Sequence, residues 1–487
     1  MQDPVVAKIA SHLERVGAHG VPAVVRSAVI TFVADTLAVG IAGLAAPWRP
    51  EILDMLSSIG GPGESTVFGS GERLPLMHAA MLNAYQIHSQ EFDCLHENAV
   101  VHPMAAVLPA LLGWAEREGG VSGALLIRAT AVAVDVAVTL GLCSRAAMRF
   151  FRPANASGFG ATVGLAMLAG FDAARLADAV GIYYGQCSGT MQAHAEGTPQ
   201  LAMQMGFAAR SAVTAVELAR RGMPGPRAPI SGEFGYFALF EGVADPAPFD
   251  ELGHAWRITE LSCKPFPSGR ATHGGIDGLQ RLMAEEAVSA ERVVACRFHV
   301  PPLTARLIGR PIRNIMTPGY ARLCLQYVGA VCLRRGTISL KDFTTEAIGD
   351  PQTLALADRL QIIEDSDPDP NALLPQRVEV DLADGRTLAR SVETVLGSPS
   401  RPLVADAMRA KFETCWLAAP ELSLDRAAAL WNAVAALDTL EDVRVFAALA
   451  STPRSRQSGR HGRERGPRVR APIPHFSTAQ APIISTR

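Results

Sequence analysis

The sequence predicts a mostly α protein, with one large all-helical domain and a smaller α+β domain. Three observations predict it. From Val5 to about Gly225, apolar residues recur at three- and four-residue spacing. After Trp256 two stretches instead alternate apolar and polar residues, as half-buried strands do. From Pro402 to Leu449 the helical spacing returns. A chain of 487 residues is also too long for one simple core.

Helices are expected over Val24–Ala42, Pro75–His88, Ala105–Glu118, Ser122–Leu142, Phe159–Leu168, Asp172–Tyr184 and Met203–Arg221, most of them ended by Gly or Pro. Several are apolar nearly all round, which marks them as central helices of a bundle. Arg292–Val300 and Gln376–Leu382 read as strands, and Asp384-Gly385 is a tight turn returning Thr387–Val392 as the second arm of a hairpin. The expected organisation is helical domain over 1–264, α+β domain over 265–401, helical return segment over 402–450, and an Arg/Pro-rich disordered tail over 451–487.

Composition excludes several classes. Hydrophobic residues make up 48% and charged residues 19%, ordinary for a compact soluble protein. The tail carries eight Arg and one Glu, which leaves the rest at −9 although the whole chain is −2. A mildly acidic body argues against nucleic-acid binding. The eight Cys form no C-x-x-C pair and read as reduced thiols of a cytoplasmic protein. The most apolar stretches are interrupted by Asp35 and Asp135, so no membrane span is expected, and Met1–Ala10 lacks the pattern of a secretory leader.

Two segments carry chemistry. The first, His88 to Glu97 with His102-Pro103 following, packs three acids and three imidazoles between apolar helices. Helix caps need one or two polar groups, whereas proton transfer near neutral pH needs this mixture. On paper His88, Asp93, His96 and His102 offer metal ligands, but the H-E-x-x-H spacing fails and no metal is expected. Asp93 and His96, three apart, are expected to pair on one helix face. The second segment, Lys264 to Asp277, sets Lys264, Arg270 and His273 on a proline-bounded loop that opens into a helix. Cations beside a helix N-terminus make a carboxylate receptor.

These segments, in this order, resemble the MmgE/PrpD family. The resemblance covers approximately residues 5–450 and rests on several dispersed motifs. They include Asn83-Ala84 through His88, the E-F-D-C-L-H run at 91–96, His102-Pro103, Gly158–Ala166, Gly206–Ala209, Gly222–Pro226, and the K-P-F-P…H loop at 264–273. Tyr327 lies in a stretch similar to a helix of the family's lid domain. The resemblance implies a homodimer, a cleft between the domains, no cofactor, and a small polycarboxylate substrate. It carries the family's loop residues onto Glu91, Asp93, His96, His102, Lys264 and His273. Departures accompany it: Cys94 and Leu95 replace an Asp and a Thr. Phe151-Arg152-Pro153 replaces a His and Leu201 a Lys of decarboxylase- and epimerase-like members, which weighs against those two reactions.

The chemistry expected is elimination beside a carboxylate. His102 and His273 serve as base and acid in either order, Asp93 orients an imidazole, and Lys264 completes the catalytic set. Arg152, Arg270, Glu91, His96, Tyr327 and His194 are expected to bind substrate, with His194 filling the volume vacated beside Arg152. The leading expectation is a cofactor-independent hydro-lyase acting on a hydroxy acid such as 2-methylcitrate. An isomerase or epimerase of a dicarboxylic acid and a non-catalytic carboxylate-binding dimer are the alternatives.

Overall fold

A computed structural model describes residues 3–452. The N-terminal part is a stack of helices: α1 (Pro4–His19), α2 (Ala23–Ala42), α3 (Arg49–Ile59), a small hairpin of β1 (Ser65–Thr66) and β2 (Arg73–Leu74), then α4 (Leu76–Ser89) and α5 (Pro103–Glu118). It continues through α6 (Gly123–Leu142), α7 (Arg152–Leu168), α8 (Ala173–Tyr184), α9 (Gln192–Glu196) and α10 (Gln200–Arg220). The predicted helices are present within a few residues at each end, except that α7 starts seven residues earlier than its apolar spacing does. Pro153 at its second position explains the early start, because proline is pre-set for a first helical turn.

Helices α5, α6 and α7 are buried almost all round, so small residues govern their approach. A Cβ on Gly158 would stand 1.8 Å from the Tyr183 hydroxyl, which donates to Asn155 O at 3.0 Å. Only glycine lets α7 and α8 meet there. Helices α2 and α6 are long and apolar enough to cross a membrane, but 72% and 83% of their apolar windows lie inside the fold. The acid interrupting each has a buried partner. Asp35 pairs with Lys411 at 2.6 Å, and Asp135 contacts His12 at 3.0 Å and accepts from Arg257 N at 2.7 Å.

The α+β part begins with α11 (His273–Glu286) and β3 (Val293–Val300). Short helices α12 (Pro302–Ile308), α13 (Pro318–Ala321), α14 (Leu325–Arg335), α15 (Thr345–Ile348) and α16 (Pro351–Ala357) follow, then β4 (Leu360–Glu364), β5 (Gln376–Leu382) and β6 (Thr387–Val392). The sheet order is β4-β3-β5-β6, with β3/β4 parallel and the other pairs antiparallel. Asp384-Gly385 makes the predicted turn, with Gly385 at φ 84. Alternation did not reveal β4, since it pairs in parallel through a long crossover and is only five residues long.

Helices α17 (Ala405–Trp416), α18 (Leu424–Ala435) and α19 (Arg444–Leu449) close the described chain, and the first two pack on α2. Residues through 452 form one compact unit, so the seams expected near 264 and 401 lie inside it. From 453 onward the expected tail lies outside the described residues.

Candidate active site

Two helix ends and the loop joining them build the site. His88 sits in the last turn of α4, and His102 is the residue just before Pro103 opens α5. The loop between them folds back until the two imidazoles meet edge to face, ring centroids 4.9 Å apart. Short bridges hold it: Leu95 pairs with Ser262, and His96 with Val101. The first ties this loop to the chain entering the 264–273 segment. Glu91 and Val100 on the loop have φ of 49° and 51°, a left-handed conformation costly for such residues. Both line the cavity beside the imidazoles, and strain of this kind collects where a site over-determines the backbone.

Asp93 is fully buried, and its Oδ2 lies 3.0 Å from Nδ1 of both His88 and His102. One carboxylate thus fixes two rings and leaves each Nε2 without a partner among the described residues, with both rings on the cavity wall. Burial raises the Asp93 carboxyl, but the two imidazoles outweigh it and hold the group well below the usual range. One anion stabilises one imidazolium well, so the rings diverge. Burial lowers both, yet in His88 the charge and hydrogen bond of Asp93 win and its pKa is raised. In His102 burial wins and its pKa is lowered. The cluster therefore presents a more acidic and a more basic imidazole side by side.

Glu91 lies on the same wall. Burial would raise it, but Lys264, His88 and His102 bring it to about 2. Lys264 is 0% exposed, donates to Glu91 O and Oε2 at 3.1 Å, and stands 4.0 Å from Asp93 Oδ1. It underpins the two carboxylates and does not reach the cavity. His88, Asp93 and His102 also offer ligand atoms within 4.8 Å of one another. Their hydrogen bonds account for that spacing, and the neighbouring ammonium raises the cost of a dication there.

Other expectations are corrected. His273 does not share the cavity with His102. Its Nε2 lies 3.3 Å from Ser268 O and its Nδ1 3.2 Å from Arg270 Nη1, behind that guanidinium, and burial with two nearby cations holds it well below its ordinary pKa. Arg270 does line the cavity, while bound to Glu97 at 2.7 Å and Leu396 O at 2.8 Å. Asp93 does not pair with His96, because residues 91–101 form a loop and no helix. His96 Nδ1 accepts from Ala99 N at 3.1 Å and its Nε2 meets Glu260 at 2.9 Å, facing a different cleft. Arg152 is spent on Glu241 at 3.2 Å and Ser144 at 2.6 Å, so no free guanidinium awaits substrate. Tyr327 is buried in α14, its hydroxyl donating to Asp342 O at 2.6 Å. His194 does line the cavity, and burial with Arg310 lowers it to about 4, keeping it neutral. His88, outside the expected catalytic set, is the residue that the fold adds. Its position five before Asp93 was visible, but the turn that returns it to Asp93 was not.

The description "MmgE/PrpD N-terminal domain" matches residues 7–248, and "MmgE/PrpD C-terminal domain" matches 266–439. Cis-aconitate decarboxylase of Mus musculus is 26% identical over 436 residues, covering 86% of this chain and 88% of its own. The Homo sapiens enzyme of the same name is 27% identical over 405 residues, covering 80% and 82%. That of Aspergillus terreus is 26% identical over 455 residues, covering 86% and 90%. Two matched domains spanning most of the sequence, in the order the motifs predicted, settle the family: this chain belongs to the MmgE/PrpD family.

Proposed function

We propose that this protein is a cofactor-independent lyase that eliminates water from a small hydroxy carboxylic acid by imidazole acid–base chemistry. The observation that carries the reading is the Asp93 carboxylate shared by His88 and His102 at a cavity wall. His102, the less basic ring, is neutral near pH 7 and takes the proton next to the substrate carboxylate. The C–H electron pair becomes the second bond of the new C=C as the C–O bond breaks. The departing oxygen takes the proton of His88 and leaves as water. The site resets when His102 releases its proton and His88 regains one. Arg270 and the polarised rings stabilise charge developing on the carboxylate.

The relatives named as cis-aconitate decarboxylases support the coarser lyase reading. Leu201 on the cavity wall, where the resemblance expects a Lys, favours water over carbon dioxide as the leaving group. Isomerisation is the second reading, since it needs the same proton abstraction. A homodimer in the cytoplasm is part of the proposal. The test is a panel of 2-methylcitrate, citrate, cis-aconitate and simple hydroxy acids, followed by absorbance of the unsaturated product and chiral analysis. Release of carbon dioxide from cis-aconitate without any hydration or dehydration would refute the hydro-lyase reading.

A further inference from the structure

The cavity walls bear on what the substrate looks like. Of the eighteen residues lining the cavity at His88 and His102, twelve are apolar, among them Met148, Leu201, Leu307, Ile308 and Leu323. Its charges are already compensated. Glu91 faces the cavity but is paired with Lys264, and Arg270, the lining cation, is engaged by Glu97, Leu396 O and His273. Of that guanidinium only Nη2, enclosed 2.7 Å from Glu97 but without a hydrogen bond, is left for a ligand. A tricarboxylate would bring three negative charges against Arg270 and the His88 ring, both already paired with carboxylates, and beside an ionised Glu91. Desolvating anions without matching cations is costly, so the site selects against such a ligand.

Leu201 also walls a second compartment. His88, Glu91 and Leu201 are shared with an adjoining compartment bounded by Trp48, Tyr85, Ala202, Pro199 and Pro318. That compartment runs to Trp48, which is 59% exposed and held at φ 65°, so it reaches the surface. Its cation, Arg310, is turned onto the backbone oxygens of His194 and Gly319 and stacked on Tyr320.

We propose that the substrate carries a single carboxylate at its reacting end, seated between Arg270 and the His88/His102 pair, and an apolar arm that passes Leu201 towards Trp48. This rests on the acid–base reading of the same site and narrows its substrate class. The arm explains why a proton-transfer cavity is walled by leucine and methionine: each methylene buried along it should tighten binding roughly fourfold.

The experiment uses the full chain and two readouts. Calorimetry measures binding of 3-hydroxy acids with arms of two, four, six and eight carbons, beside citrate and 2-methylcitrate. Proton NMR in D2O measures exchange next to the carboxylate for the same compounds. The expected result is affinity rising with arm length, exchange in that series, and no binding of either tricarboxylate. Leu201→Lys should reverse the order, losing at least tenfold for the eight-carbon acid and gaining for citrate, with an unchanged melting temperature. Binding and exchange of citrate at least equal to the alkyl acids would overturn the inference while leaving proton transfer standing. Alkyl acids that bind by arm length without exchange would instead sink the acid–base reading and keep the arm. No binding of the alkyl series at all overturns the inference.

Discussion

Among the described residues lie two buried acid–imidazole arrangements, and one of them is placed to do chemistry. In the helical core Asp135 meets His12 at 3.0 Å, both side chains fully buried. Trp256 packs against the ring, and His12 Nδ1 is enclosed without a hydrogen-bond partner among the described residues. Burial raises the Asp135 carboxyl despite its partner. At the cavity Asp93 also meets imidazole at 3.0 Å, but twice, and its pKa goes the other way, because two rings outweigh the desolvation. The pairs share chemistry and burial. They differ in what the second ring nitrogen meets: protein in one case, open space in the other. An acid–imidazole pair becomes a candidate acid or base only where a ligand can reach its free nitrogen.

The largest effects should separate these two sites. His102→Ala is expected to lower kcat/KM by roughly 10²–10⁴-fold with nearly native stability. His12→Ala should instead cost about 2–4 kcal/mol in denaturant unfolding, by stranding Asp135 and opening a void, while the folded fraction keeps its activity. If the two variants exchange phenotypes, the comparison is broken.

Asp93→Asn keeps the shape of its side chain but removes the shared charge, and a loss of roughly 10–100-fold in kcat is expected for a lost orienting group. It also sharpens the roles through pH. In the wild type kcat/KM should rise through a pKa below 6.5, as His102 becomes neutral, and fall through one above 6.5, as His88 loses its proton. With Asn at position 93 the falling limb should move to lower pH, since the anion that favours protonated His88 is gone. A falling limb that stays in place would assign it to another group.

Stability offers a further discriminator. Glu91 is depressed to about 2 in the folded protein, so its pairing contributes stability above the unfolded value near 4.5. That contribution is lost as pH falls through about 2. Lys264→Met should remove it at pH 7 and destabilise by roughly 3–5 kcal/mol, the cost of stranding a buried charge. A Lys264 that instead touched substrate would show chiefly as a raised KM in a stably folded variant. The smallest effect is expected at Tyr327→Phe, which loses one hydrogen bond to Asp342 O, worth about 1 kcal/mol, and should leave KM within twofold.

Much of this protein was legible without coordinates. Three/four spacing located the central helices, because a helix buried all round needs an apolar residue at nearly every turn. Alternation located β3 and the β5–β6 hairpin, and the concentration of acids and imidazoles at 88–102 pointed to the site's segment. The parallel strand β4 escaped, as did the pairings that assign roles. Sequence spacing set Asp93 beside His96, whereas the loop turned His96 to Glu260 and brought His88 and His102 together on Asp93. It offered Lys264, His273, Arg152 and Tyr327 to the substrate, yet each is spent on a protein partner. The sequence by itself determined which groups were available and which segments would be helix or strand, since both follow from side-chain type and local period. Only the tertiary structure decided which imidazoles share a carboxylate and which cations are already neutralised, because those depend on distances of a few ångströms between residues far apart in the chain.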